Sequence, residues 1–264
     1  MIALLEPLFQ GERRAYGESL SCAPRFPPDA LPISQLVADP TLLARTVRRY
    51  ADRLGTDDLR PAASAWSYSY LGALLPPLAA AATLLRHRFP AHADDMAVAL
   101  DQHGGVAGFH ICSLGDAVAG ADTLECYDAL LRGHLAPLFA QLGRQSGLAQ
   151  KILWGNVARL LDTLLAEAAQ FAAAHGEANG AAAVARDRAR LLDAPEWAGA
   201  VNPLHMRQRA MQRPAGAGAI AREGQPPVLH RQCCLYHLLP GQGYCGACPL
   251  DSAHARVKGT VPAA

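Results

Sequence analysis

The sequence has almost no excess of charge of either sign, because 24 Lys and Arg residues stand against 23 Asp and Glu residues, for a net charge of +1. Nucleic-acid-binding proteins usually carry a marked basic excess or stripe, so this balance argues against that class. Aromatic residues make up only 6% of the 264 positions, which disfavours an all-β sandwich. With 51% hydrophobic and 18% charged residues, the chain can bury a full core, and its many Ala and Leu residues favour helix.

The amino terminus lacks the features of a signal peptide. It has no basic stretch, and Glu6 and Pro7 interrupt its apolar run. The longest uncharged stretch, residues 61–85, is long enough to cross a bilayer. It contains several Ser and Tyr residues and the Pro76-Pro77 pair, which favour two packed helical pieces over a lipid-facing helix. We therefore expect a cytoplasmic protein, with at most peripheral contact at the inner face of the membrane.

Several local signals mark helix boundaries. Asp39 followed by Pro40 predicts a helix start, with an N-cap acceptor and a proline at the first helical position. Asp122 and Glu125 have capping-box spacing, and Pro137 predicts a kink in the helix that follows. A longer helix is predicted from about residue 146 to residue 175. Its buried stripe is expected to comprise Trp154, Val157, Leu161, Leu164, Ala168 and Phe171.

Residues 96–111 differ from the helical background. Two short apolar runs flank residues 101–105, which include Gly104 and Gly105. A Gly-Gly pair supplies the positive φ that a hairpin turn needs. The pattern predicts a β-hairpin with His103 at its tip and His110 on its second strand.

The predicted organisation is mainly α, or α+β in detail. We expect a helical domain over residues 1–212 with one small β-hairpin, a Gly- and Pro-rich linker over 213–227, and a cysteine-rich module with its tail over 228–264, packed on the helical domain.

Four of the seven cysteines lie within sixteen residues near the carboxyl terminus: Cys233, Cys234, Cys245 and Cys248. Four thiolates suit either one tetrahedral zinc ion or a cysteine-ligated iron–sulfur cluster. Structural zinc usually takes cysteines in pairs two to four residues apart, whereas the adjacent pair has side chains that diverge. A two-iron cluster is a wider target, and Gly-rich loops leave N–H groups free to point at sulfur. The spacing favours the [2Fe–2S] cluster, with zinc or an unmetallated site as alternatives.

Adjacent cysteines, a ten-residue gap and a closing Cys-x-x-Cys resemble the FhuF-type ferric-siderophore reductases. The resemblance also includes Arg231, Leu239-Pro240 and the Cys-Gly-x-Cys-Pro ending. Further upstream it includes the stretch 153–156 (Leu-Trp-Gly-Asn) and Asn202-Pro203. Family members often have Tyr and Arg where this chain has His237 and Leu238. The histidine either couples the cluster potential to pH or is surface variation, and the missing arginine puts a docking contact in doubt.

The resemblance implies a [2Fe–2S] cluster held by those four cysteines and one-electron reduction of siderophore-bound Fe(III), releasing Fe(II) in the cytoplasm. The balanced charge suits neutral or mildly cationic hydroxamate chelates. No dinucleotide-binding element for a nicotinamide, with GxGxxG between a predicted strand and a helix, is found, so electrons would come from a ferredoxin, a flavodoxin or a flavin reductase. Trp154, Asn156, His103 and His110 are candidates for siderophore binding. Each also has a structural interpretation, Trp154 as core and Asn156 as a buried hydrogen-bonding group.

Two other functions stay open on the sequence. A zinc-stabilised helical binding or adaptor module would have the same four ligands without redox activity. A relative of the siderophore synthetases would share a FhuF-like helical region, but those enzymes are longer and need an ATP site.

Overall fold

The structure is a computed structural model and describes residues 1–197, 199–205, 209–210, 228–230 and 232–251. The predicted linker 213–227, Arg231 and the tail after Asp251 lie outside the described residues. The proposed division into a helical domain, a linker and a cysteine module therefore stays a prediction.

Helices account for most of the described chain. Their bounds are α1 (Arg14–Glu18), α2 (Ile33–Ala38), α3 (Pro40–Leu54), α4 (Leu59–Ala80), α5 (Thr123–Asp128), α6 (Ala136–Ser146), α7 (Gln150–Ala174) and α8 (Ala178–Arg188). Wider helical turns at Ala81–Leu85, Ala129–Leu135 and Ala189–Asp193 continue α4, α5 and α8, and tighter turns lie at Ala3–Leu5, Gly11–Arg13 and Tyr236–Leu238. The mainly α prediction is confirmed.

The predicted helix starts are present. The carboxylate of Asp39 accepts hydrogen bonds from the backbone N–H groups of Thr41 and Leu42, and Asp122 and Glu125 form a complete capping box. Pro137 is the second residue of α6 and follows the wide turn Ala129–Leu135. It has no N–H to donate to the turn before it, and the kink expected there stays a prediction.

Helix α4 is one continuous helix through the Pro76-Pro77 pair, so the expected division into two pieces is wrong. Pro77 cannot donate to the carbonyl of Ala73, but the Ser19 hydroxyl donates to that carbonyl at 2.7 Å. Residues Leu59–Leu85 are long and apolar enough to cross a membrane, yet 61% of the most apolar window is buried inside the protein. That degree of burial is typical of the core helix of a folded domain.

Helices α4 and α7 pack against each other at the centre of the core. The predicted stripe on α7 is correct at Val157 and Leu161, whereas Trp154 is only half-buried. Leu153 and Leu165, which the stripe did not include, are also buried. The buried face of α7 differs from the predicted stripe because α7 contacts three helices, α4, α6 and α8. These neighbours cover α7 from more than one side.

The predicted hairpin is confirmed as β4 (Met96–Leu100) and β5 (Val106–Ile111), which pair antiparallel. It belongs to a four-stranded sheet of order β1-β5-β4-β2, in which β1 (Leu20–Cys22) runs parallel to β5 and β2 (Leu31–Pro32) antiparallel to β4. These short edge strands were not predicted. Two-residue strands elsewhere are β3 (His87–Arg88), β6 (Asp116–Ala117), β7 (Glu196–Trp197), β8 (Ala200–Val201), β9 (Arg209–Ala210) and β10 (Val228–Leu229).

Two buried polar centres were missed by the sequence analysis. His134 is fully buried between Tyr70 and the backbone of Ala91. Its Nδ1–H donates to the Ala91 carbonyl at 3.1 Å, so its Nε2 accepts from the Tyr70 hydroxyl at 2.6 Å. Burial lowers the pKa of His134 to about 4.

The second centre is Asp187, which is fully buried and accepts from the guanidinium of Arg86 at 3.0 Å and from the Thr123 hydroxyl at 2.6 Å.

Candidate metal centre

The adjacent cysteines separate because of the backbone that follows them. Leu235 has a left-handed conformation with φ of 62°, and its N–H points at the sulfur of Cys233 at 3.3 Å. The Sγ of Cys234 lies 4.0 Å from the Sγ of Cys245, while the Cys233 thiol interacts with that of Cys248. Each member of the adjacent pair therefore meets a different member of the closing Cys-x-x-Cys.

The four thiols are close enough to affect one another. Burial, and after it the neighbouring thiols of Cys234 and Cys248, raise the pKa of Cys245 to about 12. Burial also raises the pKa of Cys233, against the opposing effect of the Leu235 N–H. Crowded thiols of this kind are stable as thiolates only when cations neutralise them, as metal ions do.

The donor set fits a two-iron cluster. Among the described residues, no three His, Cys, Asp or Glu side chains converge on a point from which they could hold a single metal ion. Four cysteine sulfurs arranged as two pairs are the ligands that a [2Fe–2S] cluster takes.

Two hydrogen bonds fasten the cysteine segment to the helical core. The Ser64 hydroxyl on α4 donates to the carbonyl of Cys234 at 2.7 Å. The guanidinium of Arg159 on α7 donates to the carbonyl of Gln232 at 2.8 Å. Within the segment itself, the N–H of His230 donates to the carbonyl of Ala247 at 2.9 Å. The described part of the cysteine segment is thus packed on the helical core, as predicted.

Asn156 links the two fastening residues. Its side chain is buried, and its amide donates to the Ser67 hydroxyl at 2.9 Å and to the backbone and side chain of Ser64 at 3.3 and 3.4 Å. Its carbonyl oxygen accepts from the guanidinium of Arg159. The sequence left Asn156 either a structural or a ligand-binding role. In the structure its side chain makes structural hydrogen bonds to the residues that position the cysteine segment.

The neighbours of Asn156 in the Leu-Trp-Gly-Asn stretch have other roles. A Cβ atom at Gly155 would stand 3.3 Å from the Cβ of Gln232, so the glycine permits the cysteine segment to approach α7 closely. Trp154 packs edge-on against Phe139, with ring centroids 5.1 Å apart.

Trp154 also lines a cleft of about 440 Å³ beside the cysteine segment. Helix α7 forms one wall and residues 201–205 another, and Gln232, which directly precedes Cys233, closes the side nearest the thiols. Asn202 belongs to this cleft, but its buried amide donates to the carbonyls of Leu191 and Ala194 at 2.9 and 2.7 Å, which fixes the loop.

The two hairpin histidines lie apart from this cleft. His103 is exposed at the turn, where its N–H donates to the carboxylate of Asp101 at 2.8 Å. His110 is half-buried, and its Nδ1 lies 2.6 Å from the Ser21 hydroxyl. Neither is among the described residues that line the cleft, so the structure does not bring them together with Trp154.

His237 lies against the cysteines. Its Nδ1 is 3.6 Å from the Cys233 sulfur, and its ring lies 4.8 Å from the ring of Tyr244, centroid to centroid. Leu238, at the position where the family often has arginine, is exposed.

The fold resembles part of two solved structures of the aerobactin synthetase IucA from a hypervirulent pathotype of Klebsiella pneumoniae. The ATP-bound structure has a TM-score of 0.52 at 20% identity, and the other has a TM-score of 0.51 at 20% identity. Each match covers 67% of this chain but only 37% and 38% of the synthetase. At this identity and coverage, the likeness concerns the fold alone.

Models of two protein families match parts of the sequence. No curated protein matches the chain. The model of the FhuF 2Fe-2S C-terminal domain matches residues 231–250, so the cofactor of the cysteine segment is a [2Fe–2S] cluster, as predicted. A second model, described as ferric iron reductase FhuF-like transporter, matches residues 64–216. Because these 153 residues are more than half of the chain, it belongs to the FhuF-like ferric iron reductase family.

Proposed function

We propose that this protein reduces siderophore-bound Fe(III) by one electron and so releases Fe(II). The observation that carries the proposal is the packing of the four-thiol segment beside an open cleft, with Gln232 forming part of both. A bound substrate in that cleft would lie next to the electron carrier. Cys233, Cys234, Cys245 and Cys248 are the ligands we propose for the cluster.

The reaction needs little from the protein besides an electron and a position. Siderophores hold iron with hard oxygen donors that strongly prefer Fe(III). When bound, the [2Fe–2S] cluster supplies one electron to the ferric ion, and the chelate's affinity for the resulting Fe(II) is far lower. Each 59 mV changes the equilibrium constant of a one-electron transfer tenfold, so capture of Fe(II) by other acceptors can drive an unfavourable transfer.

The side chains around the cysteines support this chemistry. Arg159 is 9% exposed, and no carboxylate of the described residues pairs with it. It places a fixed positive charge near the thiols, where it opposes the rise in the pKa of Cys245. A buried cation of this kind compensates the negative charge of four thiolates and of an added electron.

The electron donor we propose is a ferredoxin, a flavodoxin or a flavin reductase. We further propose a cytoplasmic location, with membrane contact at most peripheral at the inner face, since α4 is mostly buried inside the protein.

The test uses anaerobically purified protein reduced with dithionite and freed of excess reductant. We expect acid-labile sulfide and iron in equal amounts, and stoichiometric Fe(II) formation from a ferric siderophore, trapped by a coloured Fe(II) chelator. Cys245→Ser should lose both the cluster and the reduction while far-ultraviolet circular dichroism still reports folded helices. Cys112→Ser, which changes an exposed thiol outside the segment, should retain both.

The zinc-stabilised adaptor predicts a different result. Such a protein would be colourless, contain zinc and no labile sulfide, and form no Fe(II). A Cys245→Ser protein that keeps a full cluster and full activity would also contradict the proposed ligand set.

A further inference from the structure

The cleft beside the cysteines has an uneven charge. Its described lining includes two cations, Lys151 and Arg159, and no Asp or Glu side chain. Lys151 is exposed on the second residue of α7, while Arg159 lies two turns further along the same helix and is mostly buried. The local field of the cleft is therefore positive, although the whole chain is almost neutral.

The remaining lining suits a compact polar ligand. Gln150 and Gln232 offer amide groups, and the half-buried ring of Trp154 provides a flat apolar wall. A volume of about 440 Å³ lies within the range of small-molecule sites, which are usually concave and combine apolar walls with a few polar groups.

We infer that this cleft binds the ferric siderophore and that it selects chelates with net negative charge, with Lys151 as the main residue for electrostatic recognition. This inference rests on the proposed function and specifies its substrate class. Three catecholate groups carry six negative charges and leave their Fe(III) complex strongly anionic, and chelates with free carboxylates are anionic as well. Three hydroxamates leave the complex neutral, so the cleft favours a class other than the hydroxamates that the balanced overall charge suggests.

The cleft that selects the chelate also lies next to the cysteines that we propose as cluster ligands. Gln232 lines the cleft, and its backbone carbonyl accepts a hydrogen bond from Arg159. The residue after Gln232 is Cys233. A chelate held between Lys151 and Gln232 is thus next to the cysteine segment without contact to the hairpin histidines.

The test measures binding separately from reduction. Ga(III) has the charge and nearly the size of Fe(III) but is not reduced, so calorimetric titration of the cluster-loaded protein with Ga(III) chelates reports binding alone. At about 0.01 M salt we expect an anionic Ga(III) tricatecholate to bind at least about tenfold more tightly than a neutral Ga(III) trihydroxamate. The difference should shrink at about 1 M salt, where the Debye length is only about 3 Å.

Two variants locate the effect. Lys151→Gln should weaken binding of the anionic chelate about fivefold to tenfold at low salt, with little change for the neutral one. Arg45→Gln removes an exposed cation on α3, outside the cleft lining, and should change neither. Trp154→Ala should weaken binding of the anionic chelate at both salt concentrations, because it removes the apolar wall.

Three results would overturn the inference: equal binding of the two chelates at low salt, tighter binding of the neutral chelate, or the same loss in the Lys151 and Arg45 variants. If the anionic chelate fails to bind while ferric chelates are still reduced, the cleft assignment is wrong and the reductase proposal stands. If it binds as expected but its ferric form is not reduced, the reductase proposal is wrong and the cleft assignment stands.

Discussion

Asn156→Ala tests whether the polar network under the cysteine segment positions it. The substitution removes the acceptor for one Arg159 nitrogen and the donor to the Ser67 hydroxyl, both in the buried core. Leaving a buried polar group unsatisfied costs about 1–3 kcal/mol, and more for a charged one. We therefore expect the free energy of unfolding to fall by about 2–4 kcal/mol, which corresponds to a decrease in Tm of roughly 5–15 °C for a domain of this size.

The second expected effect of Asn156→Ala concerns the cofactor. Without its partner, the Arg159 guanidinium is free to move away from the Gln232 carbonyl, and Ser64 loses the amide that orders it. The two bonds that hold the cysteine segment weaken together. Iron and labile sulfide per folded protein should therefore fall, as measured at a temperature where circular dichroism shows the helices intact. Asn156→Asp retains an acceptor for Arg159 and should show a smaller loss of both quantities.

Asn202→Ala is the matched control. Asn202 is also buried and donates to two backbone carbonyls, so its loss should destabilise the protein by a similar amount. It makes no bond to the residues that fasten the cysteines, and the cluster content of the folded protein should stay unchanged. If both variants lose cluster to the same extent, or if Asn156→Ala keeps a full complement, the network does not position the segment.

Two further predictions concern the buried polar centres of the core. His134 is neutral in the fold with a pKa of about 4, whereas an unfolded histidine takes up a proton near pH 6.5. Stability should therefore fall by about 3 kcal/mol as pH drops from 6.5 to 4, and urea titrations of His134→Gln should show a flatter pH dependence. Asp187→Ala leaves the partly buried Arg86 without its carboxylate and should lower the free energy of unfolding by about 3–5 kcal/mol. Asp128→Ala, which breaks an exposed ion pair, should cost at most about 1 kcal/mol in the same assay.

The helices and the hairpin could be predicted because short-range chemistry specifies them. The Asp39 and Asp122 caps depend on residues within four positions, and the hairpin turn depends on Gly104 with its φ of 78°. The edge strands β1 and β2 could not be predicted, since each has three residues or fewer and pairs with a partner more than sixty residues away. The Ala73 carbonyl, to which Pro77 cannot donate, accepts a hydrogen bond from Ser19, and no local pattern connects these two residues.

The four cysteines could be found from their spacing, but the residues that position them could not. Ser64 and Arg159 have no local sequence signature, and they act through hydrogen bonds to residues 170 and 73 positions away, respectively. The charge of the cleft was hidden for a related reason. Lys151 and Arg159 are two of the 24 Lys and Arg residues in the sequence. Only the fold shows that both line the cleft and that its described lining includes no acidic side chain.

The Leu-Trp-Gly-Asn stretch shows why a short motif of this kind need not mark a ligand site as a whole. Successive residues of a helix point about 100° apart, so the four side chains of 153–156 face different surroundings. Leu153 is in the core, and Trp154 lines the cleft. Gly155 allows the cysteine segment to approach the helix, and Asn156 makes buried hydrogen bonds that position the segment. A substitution at each position should therefore affect a different property. Changes at Trp154 should alter chelate binding, whereas changes at Asn156 should alter the retention of the cluster.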